Sequence, residues 1–570
     1  MSTVRLTSCG DTMDKNAVEK FSTNARVKLR KSVDASMARL GIGEGREPES
    51  VDSSGTTVVL NLPGGLRTTL TSEQANWRAK LIDRVSSEGY DNVVEQVAYT
   101  WFNRLIAIRY MEVNDYLPTH VRVLSSSDKG KIEPDIVTQC IHMADVLNLS
   151  SSEKDEIFAL KSQGKSDELF SRMFVYECRS LNQILPELFT ETRPYEKLLL
   201  NLSYTIQDGV VRELVDTVPE DDFRDAVQII GWMYQYYNSE LKDKVFADLK
   251  KNVKISKEHI PAATQLFTPD WIVRYMVENS LGRVWLEGHP DQSLQSKWKY
   301  YLVEADQEPQ VKEKLKEIRS SRRRMEPTDI KVIDPCMGSG HVLVYAFDVL
   351  IQIYESYGYS KQDAASLIVE NNLFGLDIDE RAYQLAYFAV MMKARSYDPS
   401  VFNRKLKPNL SAMIETSGLD DSCLEGYGNG MAPMEKSLAY NDMKYLISLF
   451  KDARTYGSLI KVRELDFKRI NAFINARSIN LYANDDSIKK IVAIASILSQ
   501  RYDAVITNPP YMGSSGMNPQ LTKFVKDEYP LSKSDLSTCF MERTLALCNE
   551  DGFSSMINIP VWMFFPVLRS

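Results

Sequence analysis

One tetrapeptide of the chain, Asn508-Pro509-Pro510-Tyr511, has the residue types needed to activate an amino group on an aromatic ring. Such an amine is a poor nucleophile because its lone pair is delocalised into the ring. The side-chain oxygen of Asn508 and the carbonyl of Pro509 can accept both N–H hydrogens, which returns electron density to the nitrogen. Pro510 stiffens the turn, and Tyr511 offers a face for a flat ring. Taken alone, the tetrapeptide is also typical of a surface turn.

A second segment, Asp334-Pro335-Cys336-Met337-Gly338-Ser339-Gly340, lies between a β-branched run and a helical stretch. Gly338 and Gly340 let the backbone of such a turn approach a ligand closely, and the segment lacks the Lys-Ser/Thr pair of a triphosphate loop. Asp377 ends the next predicted strand, where a carboxylate can accept hydrogen bonds from both ribose hydroxyls of a nucleoside cofactor. Ile378 would then lie against the adenine ring of that cofactor.

A third segment, Phe267-Thr268-Pro269, precedes the predicted helix Asp270–Glu278. Exposed N–H groups at a helix start can hold a carboxylate, so these three residues are candidate cofactor contacts. Alone, the pattern indicates only a helix with proline near its first turn. Asp379 is predicted to be a helix N-cap rather than a ligand.

Two kinds of patterning divide the chain. Apolar residues recur at helical spacing up to about Lys250, which predicts a mainly α-helical N-terminal domain over residues 1–250. From about Thr328 short β-branched runs alternate with helical stretches, which predicts a Rossmann-like α/β domain over residues 251–570: a parallel sheet flanked by helices, with ligands at the carboxyl ends of its strands. The predicted strands are residues 330–333, 373–376, 410–414, 504–507 and 553–559.

Composition narrows the function classes. The chain has 570 residues and a net charge of −8, which disfavours a protein coated in basic charge for nonspecific nucleic-acid binding but allows a local basic groove. It has seven cysteines without a Cys-x-x-Cys pair and five histidines, so no metal site is expected. Neither a signal peptide nor a membrane-spanning run is found, which predicts a cytoplasmic protein without a membrane partner.

Along the chain the four elements occur in the order Phe267–Pro269, Asp334–Gly340, Asp377 and Asn508–Tyr511. In this order they resemble the gamma-type N6-adenine DNA methyltransferases, and more narrowly those of bacteriophage-exclusion (BREX) defence systems. The resemblance implies the class I methyltransferase fold, S-adenosylmethionine as cofactor, double-stranded DNA with a flipped adenine as substrate, and other proteins of the same defence system as partners. It implies catalysis at the Asn508–Tyr511 tetrapeptide. The implied cofactor contacts are Phe267, Thr268, Pro269, Asp334, Pro335, Gly338, Gly340, Asp377 and Ile378.

Two features of the resemblance stay open. The acidic contact to the cofactor adenine is either Glu415, which follows the strand at 410–414, or Asp466, which precedes Phe467 and is favoured for its residue types. Members of the family also continue well past the position that corresponds to Ser570. The chain is therefore expected to be truncated, without its last strands and target-recognition region. That expectation allows an inactive fragment that only binds cofactor or partners.

Two further activities are weighed against this one. Methylation of RNA adenine or of a protein glutamine uses the same tetrapeptide, although the glutamine enzymes are usually short and lack the Phe-Thr-Pro element. A combined nuclease would need Pro134-Asp135 and a Glu-x-Lys on a neighbouring strand. Glu240-Leu241-Lys242 is distant and helical in pattern, which disfavours a nuclease.

Overall fold

The computed structural model describes residues 13–190, 195–224, 226–251, 253–264, 266, 268–477 and 485–560. The chain divides into two compact units, Met1–Asn238 and Ser239–Ser570. The boundary lies ahead of the one predicted near Lys250. No helix among the described residues is long and apolar enough to cross a bilayer.

The first unit is mainly helical, as its apolar spacing predicts. Its longest buried element is the helix Tyr90–Val113, whose Val97, Trp101 and Leu105 are each no more than 1% exposed. The helices of this unit are Lys15–Arg39, Ser72–Glu88, Tyr90–Val113, Asp135–Thr138, Cys140–Val146, Ser151–Ser162, Ser166–Leu181, Glu196–Leu199, Val210–Thr217 and Gln228–Tyr237.

The first unit also contains a small antiparallel sheet that the helical pattern did not predict. Its strands are β1 (Ser50–Ser54), β2 (Thr57–Leu62) and β3 (Leu66–Thr71). Thr71 ends β3 and caps the helix Ser72–Glu88 through a reciprocal bond with Gln74. The sheet therefore leads directly into the helical part of the unit.

The second unit is built on a five-stranded parallel sheet in the order β6-β5-β4-β7-β8. Its strands are β4 (Val332–Asp334), β5 (Leu373–Asp377), β6 (Asn409–Ala412), β7 (Tyr502–Thr507) and β8 (Cys548–Met556). Each predicted strand is confirmed, with bounds shifted by a few residues. The strand order reverses between β4 and β7, and ligands of such sheets bind at the carboxyl ends near this reversal.

Helices flank the sheet. The helices His341–Tyr357 and Glu380–Tyr397 pack on β4 and β5, while Pro433–Leu449, Phe467–Asn475 and Asp485–Ser499 share a buried apolar cluster with the central strands. The other helices are Ser239–Lys250, Ile260–Thr264, Asp270–Glu278, Leu281–Gly288, Gln292–Gln295, Pro309–Arg322, Lys361–Leu367, Ala453–Tyr456, Pro519–Glu528 and Leu536–Leu547. Glu240 and Lys242 therefore lie on a helix and not on a strand.

Candidate active site

The turn after β4 is tightly folded against the neighbouring strand β5. The amide of Met337 donates to the carbonyl of Leu376 at 3.0 Å, and Gly340 donates to the carbonyl of Met337 at 2.8 Å. Gly338 and Gly340 have φ values of 53° and 83°, which side chains rarely adopt. The turn leads into the helix His341–Tyr357, as the glycine spacing predicts.

Asp377, at the end of β5, faces this turn. Its carboxylate accepts hydrogen bonds from the amide of Gly338 at 2.9 Å and from the amide of Asp379 at 2.8 Å. Burial raises its pKa to about 6, although these bonds oppose the shift. The structure thus brings the predicted ribose-binding carboxylate onto the predicted cofactor turn. Asp379 caps the helix Glu380–Tyr397, which confirms its predicted role.

Asp334 joins the predicted cofactor turn to the strand that carries the predicted catalytic tetrapeptide. The hydroxyl of Thr507, the last residue of β7, donates to Asp334 Oδ1 at 2.6 Å, and the amide of Cys336 donates to the same oxygen at 3.0 Å. Burial raises the pKa of Asp334 to about 7. Since Asn508 follows Thr507 directly, this bond sets the spacing between the two motifs.

Asn508 connects the tetrapeptide to the Phe-Thr-Pro segment. Its side-chain nitrogen donates to Thr268 Oγ1 at 3.1 Å and to the carbonyl of Leu266 at 3.3 Å. The Tyr511 hydroxyl lies 2.8 Å from Asn508 Oδ1 and 2.9 Å from the carbonyl oxygen of Ile557. Thr268 and Asn508, 240 residues apart, are therefore in direct contact. Phe267, predicted to bind the cofactor, lies outside the described residues.

The helix that follows Pro269 is fixed to the helix of the cofactor turn. Asp270 accepts from Arg274 Nε at 2.6 Å, and the Arg274 guanidinium lies 4.7 Å from the centre of the Tyr345 ring. The Tyr345 hydroxyl donates to Glu278 Oε1 at 2.6 Å. These contacts place the backbone N–H groups that follow Pro269, from Asp270 onward, at a fixed position relative to the turn.

The two candidates for the adenine contact lie in different surroundings. Asp466 caps the helix Phe467–Asn475, accepts from the amide of Arg469 at 3.1 Å, and is half exposed. Glu415 follows β6, whose last residue Ala412 pairs with Asp377. Its side chain is only 15% exposed, and its Oε1 is buried with no hydrogen-bond partner among the described residues.

Two residues near the site carried no signal in the sequence. Ser458 donates from its hydroxyl to the carbonyl of Pro335, which holds the segment 457–459 against the cofactor turn. A Cβ on Gly457 would lie 2.9 Å from Cγ2 of Ile378, so this glycine allows the segment to approach the predicted adenine-facing residue. No spacing rule links residues 457–458 to a turn more than a hundred positions earlier.

The parallel sheet, the strand order and the motifs at its carboxyl edge define the Rossmann-like core of a class I methyltransferase. Residues 371–569 match the family model described as Eco57I restriction-modification methylase. Among individual proteins, the chain is 40% identical over 593 residues to the adenine-specific methyltransferase PglX of Lacticaseibacillus casei (strain Zhang), covering 98% of this chain and 48% of that protein. The resemblance to adenine methyltransferases is therefore confirmed.

A second relative agrees with the first. The chain is 37% identical over 578 residues to the adenine-specific methyltransferase BrxX of Escherichia coli O9:H4 (strain HS), covering 97% of this chain and 47% of that protein. The solved DrdV–DNA complex matches 91% of this chain and 41% of its own at 11% identity, with a TM-score of 0.32. The chain spans about half the length of the curated relatives it matches.

Proposed function

We propose that the chain transfers a methyl group from S-adenosylmethionine to N6 of an adenine flipped out of double-stranded DNA. The observation that carries the proposal is the orientation of Asn508, whose side-chain nitrogen is engaged by Thr268 and Leu266. Its oxygen accepts from the Tyr511 hydroxyl at 2.8 Å and has a second lone pair that can accept from a target amine. Together with the Pro509 carbonyl, that oxygen accepts the N–H hydrogens of the target amine, and electron density returns to the attacking nitrogen.

The residues at the carboxyl edge of the sheet fit S-adenosylmethionine. A buried glutamate oxygen without a partner among the described residues and a carboxylate at the end of β5 supply acceptors for a nucleoside. Asp377 would accept from the ribose hydroxyls, and the turn from Asp334 to Gly340, with Thr268 and Pro269 at the adjacent helix start, would hold the methionine moiety. When bound, the cofactor supplies an electrophilic sulfonium methyl group.

We propose Glu415 as the adenine contact, in place of Asp466, which the residue types favour. The amide of Met413 donates to the carbonyl of Asp377 at 2.7 Å, so Glu415 emerges beside the ribose-binding position. Asp466 has its carboxylate occupied as a helix cap with Arg469. Ile378, partly buried beside Gly457, supports the face of the same ring.

Tyr511 would stack on the flipped adenine. Its hydroxyl is anchored by Asn508 and Ile557, which fixes the plane of its ring. Pro510 restricts the backbone between the catalytic amide and this ring. Flipping costs a few kcal/mol, and stacking on an aromatic face offsets part of that cost. On the motif resemblance, we also propose a role in bacteriophage exclusion beside other proteins of such a system.

The test presents three acceptors to the full chain with methyl-labelled cofactor: duplex DNA of mixed sequence, single-stranded RNA, and a protein rich in exposed glutamine. Label in N6-methyladenine of the DNA is expected. Label in RNA or in glutamine would replace the proposed substrate with one of the two alternatives. Cofactor binding without transfer to any of the three would favour a binding role instead.

A further inference from the structure

One short segment joins several parts of the candidate active site. This segment, residues 254–264, is here named the strap. The Lys254 ammonium donates to the carbonyl of Ser515, and the amide of Ile255 donates to the carbonyl of Gly516 at 3.2 Å. The strap therefore begins against the loop that follows the catalytic tetrapeptide. It ends just ahead of Leu266 and Thr268, which hold the side-chain nitrogen of Asn508.

The strap is packed onto the cofactor edge of the sheet by apolar contacts. Its buried residues belong to one cluster with the cofactor turn, the end of β5 and the loop after the tetrapeptide. The members that show this are Ile255, Ile260, Ala263, Cys336, Ile378 and Met512. Part of the strap thus packs in the same apolar cluster as residues that border the proposed cofactor site.

One charged residue of the strap reaches the segment that follows β6. The Lys257 ammonium donates to Glu415 Oε2, and the two residues are 158 positions apart in the chain. The lysine side chain is 37% exposed and the glutamate 15%. The other oxygen of Glu415 is buried and has no hydrogen-bond partner among the described residues. A buried carboxylate oxygen without a donor is costly unless a ligand supplies one.

We infer that Lys257 is a positioning residue that holds Glu415 with one oxygen aimed at the exocyclic amino group of the cofactor. The inference rests on the proposed function. The ammonium satisfies Oε2 and prevents the carboxylate from turning out toward solvent. Oε1 then accepts an N–H from adenine, whereas a hypoxanthine ring would present its own carbonyl oxygen to the same acceptor. The pair therefore selects adenine over hypoxanthine in the cofactor.

The experiment measures dissociation constants by calorimetry for S-adenosylhomocysteine and for S-inosylhomocysteine, its hypoxanthine counterpart. The unaltered chain is expected to prefer the adenine form by about 10- to 100-fold, the value of one charge-assisted hydrogen bond. Glu415→Gln should lose most of this preference, because a rotated amide can donate to the hypoxanthine carbonyl. Lys257→Met should lose most of it as well, and Lys257→Arg should retain it.

Lys254→Met is the matched control. The ammonium of Lys254, also in the strap, bonds to a main-chain carbonyl rather than to Glu415. Its loss should therefore weaken the binding of both homocysteine compounds equally. If Lys257→Met also weakens both equally, the lysine only ties down the strap and the inference is wrong. The inference is also wrong if Lys257→Met and Glu415→Gln keep the full preference.

Failure of the inference differs from failure of the proposed function. Binding of both cofactors without preference, with both weakened by Asp377→Ala, would overturn the role of Lys257 and leave the cofactor site in place. Binding of neither cofactor by the folded, unaltered chain would overturn both. The circular dichroism spectrum of each variant shows that it is folded, and Lys257→Arg keeps the charge should the methionine variant not fold.

Discussion

At the residue scale, Asn508 has two separable tasks. Its nitrogen holds the Phe-Thr-Pro segment through Thr268, and its oxygen is the proposed acceptor for the target amine. Asn508→Ala should lower methyl transfer by about 100-fold or more, the usual cost of one preorganised polar group at the reacting centre. The dissociation constant for S-adenosylhomocysteine should change much less than the rate, because the lost nitrogen only anchors Thr268 whereas the lost oxygen is the proposed contact with the target.

The measurement compares transfer rates and cofactor affinity for Asn508→Ala and for Asn508→Asp. The aspartate keeps an acceptor but places a negative charge near the carbonyl of Leu266 in place of a donor. It should retain more activity than the alanine variant and less than the parent. Parent-like rates for Asn508→Ala would remove Asn508 from the mechanism.

Asp377 is the residue on which cofactor affinity should depend most directly. Its two oxygens already organise the turn through Gly338 and the helix start through Asp379. Asp377→Ala should weaken binding of S-adenosylhomocysteine by about 1–3 kcal/mol through lost hydrogen bonds to the ribose hydroxyls. Calorimetry on the purified variant measures this. An unchanged affinity would exclude Asp377 from the site.

Asp334 should make stability depend on pH. Burial raises its folded pKa to about 7 from an ordinary 3.8. The folded state therefore binds the proton more tightly than the unfolded state, and the stability linked to it is complete below about pH 4 and is lost as pH rises toward about 7. Asp334→Asn mimics the protonated form and should raise the unfolding temperature of the cofactor-free chain more at about pH 8 than at about pH 5.

The gain for Asp334→Asn at about pH 8 should be on the order of a few kcal/mol, because a folded pKa of about 7 lies well above the ordinary 3.8. Titrating groups that do not interact with Asp334 cancel in the difference between variant and parent at each pH, whereas Asp377, whose charge also raises the pKa of Asp334, contributes to the same difference. Thermal unfolding of both proteins at the two pH values measures it. A variant equally stabilised or destabilised at both would show that Asp334 does not carry the pH dependence.

At the element scale, the turn between β4 and the helix His341–Tyr357 depends on two glycines for different reasons. A Cβ on Gly340 would lie 3.0 Å from Cα and Cβ of Ala386, whereas a Cβ on Gly338 would meet nothing within 4 Å. Gly338→Ala should cost only backbone strain, about 1–2 kcal/mol. Gly340→Ala should lower the free energy of unfolding by more than this and should also weaken cofactor binding, because the helix Glu380–Tyr397 must shift.

Chemical denaturation and cofactor titration of the two alanine variants provide the comparison. Gly338→Ala is the matched control, since it has the same substitution and a positive φ without the steric contact. Equal loss of stability in both variants would mean that strain alone limits the turn and that its packing on Ala386 is unimportant.

The elements that the sequence predicted well are those with buried, β-branched strands followed by a motif. β4, β5 and β7 were predicted from the apolar runs that lead up to Asp334, Asp377 and Asn508. A strand that is buried on both faces is apolar throughout, so such a run is easy to recognise. The sheet β1–β3 was missed because β1 is fully exposed and because β2 and β3 bury only Leu60, Leu62 and Leu70, too few for a clear alternation of apolar and polar residues. Periodicity reports burial, so an exposed strand leaves no pattern.

The same reasoning explains what remained open in the site. The motifs predicted Asp377 and the turn because each follows a strand directly. Residue types favoured Asp466 over Glu415, because only strand pairing tells which one emerges beside Asp377, and the sequence does not reveal that pairing. The contact between Lys257 and Glu415 joins two segments without a shared motif, so only the folded chain reveals it.

At the scale of the whole molecule, the chain consists of two units, Met1–Asn238 and Ser239–Ser570. All the proposed cofactor contacts lie in the second. Cofactor at about 100 times its dissociation constant stabilises the bound state by about 2.7 kcal/mol, so openings that release it become roughly 100-fold rarer. Amide hydrogen exchange of the full chain with and without S-adenosylhomocysteine should therefore slow in the strap, in the Asp334–Gly340 turn and around Asp377.

The first unit supplies the internal control for that experiment, since exchange in its helices, such as Lys15–Arg39 and Tyr90–Val113, should not change. Asp377→Ala at the same cofactor concentration supplies a second control and should abolish most of the protection. Within the second unit, the exposed helix Pro309–Arg322 has no proposed cofactor contact. Its exchange rate should therefore stay the same while exchange in the strap slows. Protection concentrated in the first unit, or spread evenly over the chain, would contradict a cofactor site at the carboxyl edge of the parallel sheet, because a ligand slows only those openings that would release it.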